Sequence, residues 1–287
     1  MKYVSCILMG GLGNQLFQIC AVIAYAIKYN YKFFFNYSKQ INIGITRNTY
    51  WDSLLHNLVP YTTLNNNSLH NISIFFDDFP TYKEPSFSYN EIPNYNVDFY
   101  KLYGYFQSFK YFDKYWENIC SIIKINELQL SVKNEFSNIF YNYYNISMHF
   151  RLGDYKYNSN YPVLTYDYYF NALKHIHSNK INISNIQVLY FCEKEDNNNI
   201  MPIVSKLSND FQNIKFTKIN DNIIDWKQLL IMSLCNSNII ANSTFSWWGA
   251  YINNNPDIIC YPSKWFSYTL DLSNNTKDLF PSSWIKI

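Results

Sequence analysis

Tyr3-Val4-Ser5-Cys6-Ile7-Leu8-Met9-Gly10-Gly11-Leu12-Gly13-Asn14-Gln15-Leu16-Phe17-Gln18 is the stretch from which the fold can be read. An apolar run ends in three glycines set within four residues. A second apolar run follows, from Asn14 to Ile27, too long for a strand and suited to a buried helix. The 287-residue chain holds only seven glycines, where average usage of about 7% corresponds to roughly twenty. Their clustering therefore marks a strand-to-helix turn. Glycine there permits positive φ and lets a ligand approach backbone N–H groups, which at a helix start favour a phosphate or another anion. A tight turn with no ligand is the alternative. Two nucleotide fingerprints do not fit. Gly11-x-Gly13 would need a third glycine where Leu16 stands, and no Gly-Lys-Ser/Thr follows, so neither dinucleotide nor ATP binding is supported.

Hydrophobic residues make up 48% of the chain and charged residues 15%, a globular composition with length enough for two ordinary domains. The abundance of Tyr, Phe, Asn, Ile and Lys reads as a bias towards AT-rich codons, not as a set of stacking platforms for bases or sugars. A net charge of +2, with lysines scattered singly, leaves no nucleic-acid footprint. Six well-separated cysteines, never spaced C-x-x-C, are expected to be reduced core thiols. No signal peptide and no uncharged apolar run of about twenty residues is visible, so a soluble, cytoplasmic protein without a transmembrane segment is expected. Sequons such as Asn36-Tyr37-Ser38 are attributed to chance in an Asn-rich chain.

Beyond the opening unit, Lys32-Phe33-Phe34-Phe35 reads as a second strand and residues 60–98 as the least regular part. Helices are expected over Phe109 to Ile123 and Leu128 to Tyr144. The second half alternates strands at Ile146–Phe150, Gln187–Cys192, Lys215–Thr217, Ile239–Ala241 and Ile258–Tyr261 with helices over Tyr166–His177, Met201–Leu207, Asp225–Leu234 and Ser243–Ala250. This alternation predicts parallel α/β architecture, with sites at the carboxyl ends of strands. Two domains are expected, 1–145 and 146–287.

Of 23 basic residues only Arg47 and Arg151 are arginines. Arg151 lies in His149-Phe150-Arg151-Leu152-Gly153-Asp154-Tyr155, at a strand end beside a scarce glycine, and its planar fork suits phosphate oxygens in a way lysine does not. An ion pair with Asp154 that pins the loop is the alternative. His149 reads equally as a hydrogen-bonded core residue or a functional group. Asn242-Ser243-Thr244-Phe245-Ser246-Trp247-Trp248-Gly249-Ala250 joins a strand to an apolar helix through an N-cap signature, again an anion-competent turn, although capping alone accounts for it. Asp225 is either a helix cap or an acceptor for a guanine edge. Glu193, Glu195 and Asp196 form a carboxylate cluster after a strand, or a solvated acidic loop. The chain has no Asp-x-Asp and no His/Cys set with metal spacing, so no metal is expected.

Taken together, Gly10 to Gln18, His149-x-Arg151-x-Gly153-Asp154-Tyr155 and Asn242 to Ala250 resemble the motifs of family 11 glycosyltransferases, α-1,2-fucosyltransferases that use GDP-fucose. Gly104-Tyr105-Phe106-Gln107-Ser108, Pro162-Val163-Leu164, Lys264-Trp265-Phe266 and Asp278-Leu279-Phe280-Pro281 extend the resemblance along nearly the whole chain. It implies a GT-B fold of two Rossmann-like domains facing across a cleft, an N-terminal acceptor-side domain and a C-terminal nucleotide-sugar domain. It further implies metal-independent inversion, no cofactor, and a glycan acceptor, expected to end in galactose. By position, Arg151 would hold the β-phosphate, Ser243, Thr244, Phe245 and Ser246 would support the diphosphate, and Asp225 would meet guanine. Gly11, Gly13, Asn14 and Gln15 would face donor sugar and acceptor, with Glu193 and Asn242 also on the donor side. Asp154 and Glu193 are candidates for the base. The family usually writes two adjacent arginines, and here the second is Leu152; the first is inferred to carry the donor contact and the second to be mostly structural. Transfer of another nucleotide-linked deoxysugar, or a catalytically silent nucleotide-sugar or glycan binder, remain the alternatives.

Overall fold

The computed structural model describes residues 1–64, 66–271 and 273–287. They form two compact units, Met1–Asn126 with Asn274–Pro281, and Glu127–Ser273 with Ser282–Ile287. The division falls earlier than the boundary expected near residue 145, because the segment from Glu127 belongs with the second unit. Residues 274–281, expected in the second domain, belong instead to the first. Ser108 Oγ donates to the Asp278 carbonyl at 2.6 Å, and the Asp278 carboxylate accepts from Tyr89 N at 3.2 Å.

In the first unit a parallel sheet runs in the order Lys32–Phe33, Tyr3–Cys6, Phe99–Tyr103, Thr81–Lys83. The helix Leu12–Tyr29 follows the glycine turn and is buried along most of its length, which explains its apolar sequence. It stops at Asn30, whose left-handed backbone (φ 56°) lets its N–H close on the Ala26 carbonyl.

The second unit has six parallel strands in the order Ile285–Lys286, Ile258–Tyr261, Ser237–Ile239, Tyr144–His149, Ile186–Phe191, Ile214–Lys218. Ile146, Met148, Val188 and Ile239 fill its core, as expected for strands covered on both faces. Among the described residues no helix is long and apolar enough to cross a membrane.

Two expectations change, and one strand had not been expected. Phe99–Tyr103, central in its sheet, escapes the sequence pattern because Lys101 interrupts it; that lysine is buried, its ammonium donating to the carbonyls of Phe76 at 2.9 Å and Asp77 at 3.2 Å. The helix expected over 109–123 is two 3-10 turns followed by Trp116–Ile123. The helix expected to run to Tyr144 divides into Ile125–Glu135 and Ser137–Phe140, and Tyr144 opens a strand after Asn142 turns at φ 62°.

Candidate active site

Both sheets reverse their strand order at one point, and in open α/β sheets ligands collect outside the carboxyl ends of the strands at that crevice. In the second unit the reversal lies between Tyr144–His149 and Ser237–Ile239. The chain leaving the first of these carries Arg151, and the chain leaving the second carries Asn242 to Ser246.

Here the residues expected to act together do meet. His149 Nδ1 lies 2.9 Å from Ser246 Oγ, which also accepts Ala241 N–H at 3.2 Å. Burial, with Arg151 nearby adding to it, lowers the His149 pKa to about 3, so its imidazole is neutral at physiological pH. Ser243 caps the helix Thr244–Tyr251, its hydroxyl accepting from Phe245 N at 3.3 Å, and Thr244 and Phe245 stay partly exposed. The Phe245 ring centroid is 5.7 Å from that of His149.

Arg151 pairs with both Asp154 and Glu193, and its guanidinium lies over the Tyr155 ring at 4.9 Å. The loop pin foreseen from sequence is thus present, with Glu193 as a second partner. Tyr155 in turn donates to the Asn242 carbonyl at 3.1 Å, joining the two chains that leave the sheet. Asn242 itself is buried, and its amide donates to the carbonyls of Pro162 at 2.9 Å and Trp265 at 3.2 Å. Three separate stretches of the quoted pattern converge on that one side chain. Asp225 stands apart. It is exposed at the start of the helix Asp225–Ser233, accepts from Trp226 N at 2.7 Å, and follows a strand two places removed from Tyr144–His149.

In the first unit the reversal lies between Tyr3–Cys6 and Phe99–Tyr103. Gly10 has φ +75°, and a Cβ there would come within 2.4 Å of Asn14 Nδ2. The helix shapes the turn through two buried glutamines. Gln18 accepts from Met9 N at 2.9 Å and donates to the Met9 carbonyl at 3.3 Å, while Gln15 donates to the carbonyls of Gly10 at 3.0 Å and Asn48 at 2.9 Å. Gln15, assigned from sequence to the ligand, is therefore a buried clamp with its amide nitrogen engaged on the backbone. Gly13 is buried, and Gly11 precedes the helix with open space where a Cβ would stand. Asn14 is partly exposed and accepts from Gln107 Nε2 at 3.0 Å, joining two stretches of the pattern.

Glu84 was not singled out in the sequence. It follows the edge strand Thr81–Lys83, accepts from Tyr105 N at 2.8 Å and Phe106 N at 2.9 Å, and anchors the loop that presents Gln107. Burial pushes its pKa up to about 7, against the pull of those two N–H groups.

Glu84 and His149 set opposite pH dependences. His149 binds its proton more weakly folded (about 3) than at its ordinary 6.5. Acid below pH 6.5 therefore protonates the unfolded chain first, and stability falls with pH. Glu84 binds its proton more tightly folded (about 7) than at 4.5, so its contribution falls as pH rises through that interval. His149→Asn is expected to reduce acid destabilisation below pH 6.5, and Glu84→Gln to flatten the decline between pH 4.5 and 7. Melting curves across pH 4–8 check both; unchanged slopes would contradict the assignment.

Two Rossmann-like units of this kind make up the GT-B class of glycosyltransferases. The chain belongs to glycosyl transferase family 11, whose family model matches residues 3–287. It is 32% identical over 200 residues to the Escherichia coli O-antigen biosynthesis glycosyltransferase WbnK (66% of this chain, 61% of that protein). It is 27% identical over 189 residues to an Escherichia coli alpha-1,2-colitosyltransferase (64% and 61%). The chain thus matches about three fifths of the length of both relatives. Among solved structures it is similar in fold to a mutant of Arabidopsis thaliana FUT1 in complex with GDP, with TM-score 0.53, 9% identity, and coverage of 99% of this chain and 76% of that one.

Proposed function

We propose that the protein is an inverting, metal-independent glycosyltransferase that moves L-fucose from GDP-fucose to the 2-hydroxyl of a galactoside. The observation that carries this reading is the convergence, at the strand reversal of the second unit, of Arg151 with the Ser243-capped helix start. As the fucosyl bond breaks, negative charge grows on the diphosphate and an oxocarbenium-like centre forms. Fixed donors aimed at the β-phosphate then stabilise the transition state more than the ground state. Arg151 supplies the charge, and the N–H and hydroxyl of Thr244 support the phosphates from the partly exposed helix start. Asp225, set to the side, is assigned to guanine. Asn14 is assigned to the sugar side, and Gly11 supports this: among the described residues nothing lies within 4 Å of where a Cβ would stand, which leaves room for a ligand to approach. Gln15 and Asn242 act by holding these turns in shape. Asp154 and Glu193 are candidates for the acceptor base.

The relative named for colitosyl transfer favours one second reading, in which the same site carries another deoxysugar. Donor choice is read first from stability. GDP is expected to raise the melting temperature by mass action, and UDP and ADP much less; equal shifts from all three would defeat the guanine assignment. Turnover of GDP-fucose with galactosides in EDTA then tests transfer and metal independence together. Activity lost in chelator and restored by Mn²⁺ or Mg²⁺ would refute the latter, and turnover confined to another deoxysugar donor would establish the second reading.

A further inference from the structure

Asp196 lies one helical turn beyond the assigned phosphate ligand's partner Glu193, and it is fully buried. One carboxylate oxygen accepts Gly153 N–H at 2.7 Å and the other accepts the Lys156 ammonium at 2.6 Å. Asp196 N donates to the Glu193 carbonyl at 3.0 Å, closing the turn that carries Glu193. The loop after Arg151 is therefore fastened at both ends of one short stretch, Gly153 to Lys156. Gly153 has φ +40°, and a Cβ on it would come within 2.7 Å of Glu193 Oε2, so its backbone path is set where Glu193 meets Arg151. A carboxylate bonded through both oxygens and fixed at the start of the helix Asn197–Asp210 is a rigid post, favoured further by the helix dipole.

We propose that Asp196 is the positioning residue for Arg151: through Gly153 and Lys156 it fixes the loop that aims the guanidinium, without itself touching substrate. This rests on the assignment of Arg151 to the leaving diphosphate. Lost placement without lost chemistry costs rate more than ground-state binding, and a displacement of about 1 Å is enough for on the order of a hundredfold.

The test is a double-mutant cycle in the full chain, with Asp196→Asn, Arg151→Lys and the double variant, reading kcat, KM and the Kd for GDP. Asp196→Asn is expected to lower kcat by about tenfold or more with a much smaller change in KM, and to have less than about a twofold effect when Arg151 is already lysine. A merely structural role would lower both backgrounds equally, by the unfolded fraction. If Asp196→Asn melts below the assay temperature, Lys156→Gln, at the surface, replaces it in the same cycle with a smaller effect of the same non-additive form. Additive losses, or wild-type kcat in a folded Asp196→Asn, overturn the positioning role while leaving the donor reading intact. A wild-type protein that neither binds GDP nor turns over a GDP-sugar overturns the donor reading, and this role with it.

Discussion

Arg151→Lys is expected to lower GDP-fucose turnover by about two orders of magnitude in a folded protein, and Arg151→Ala to lower it further. The guanidinium meets Asp154 and Glu193 through different nitrogens and lies over the Tyr155 ring, 4.9 Å from its centroid. It does so while keeping further N–H groups for a phosphate. An ammonium is a single point of charge. It cannot span two carboxylates, stack on the ring and reach a leaving oxygen at once, so preserving the charge does not preserve the function. A pure loop pin forecasts something else: Arg151→Ala and Asp154→Asn would both lower the melting temperature, with activity falling only as the folded fraction falls. Steady-state kinetics beside thermal melts separate the two, and wild-type turnover in folded Arg151→Lys would remove Arg151 from the chemistry.

Leu152→Arg, which restores the adjacent pair of arginines usual in the family, is expected to destabilise the second unit and not to improve it. Leu152 is only 7% exposed and belongs to the hydrophobic cluster with Ile146, Phe150 and Cys192. An arginine there brings a guanidinium into apolar surroundings with no paired carboxylate, at a cost on the order of 3 kcal/mol. For a unit of this size that corresponds to a fall in melting temperature of roughly 10 °C. Arg151 already engages Asp154 and Glu193, and Asp196 is taken by Gly153 N–H and Lys156, so a second cation finds no free carboxylate among these three. An unchanged melting temperature with tighter GDP binding would show instead that the side chain turns outward to the phosphates.

Several residues of the candidate site were legible because their signal is local. Arg151 stands out as one of two arginines, and Ser243 sits between an apolar strand and an apolar helix. Asp196 was visible only as one of three acidic residues after a strand; nothing local says that it, and not Glu193 or Glu195, is the one taken into the interior. Glu84 carried no signal of its own, since its partners lie 21 and 22 residues away, in the stretch Gly104 to Ser108 whose resemblance says nothing of what anchors it. The strand Phe99–Tyr103 went unread, because a lysine in an extended run argues for exposure unless distant carbonyls receive it, as they receive Lys101.

The sequence by itself determined the strand–turn–helix opening, the α/β alternation of the second half and where the candidate turns lie, because hydrophobic period and turn chemistry reside in contiguous residues. The tertiary structure alone decided the strand orders, and with them the two reversal points. It alone joined Asn14 to Gln107, 93 residues apart, and Gly153 to Asp196, 43 apart. It also returned residues 274–281 to the first unit and took Gln15, Asn242 and Leu152 inward. Those outcomes depend on which surfaces meet when the chain closes on itself, and a hydrogen bond across such a distance leaves no period for the sequence to display.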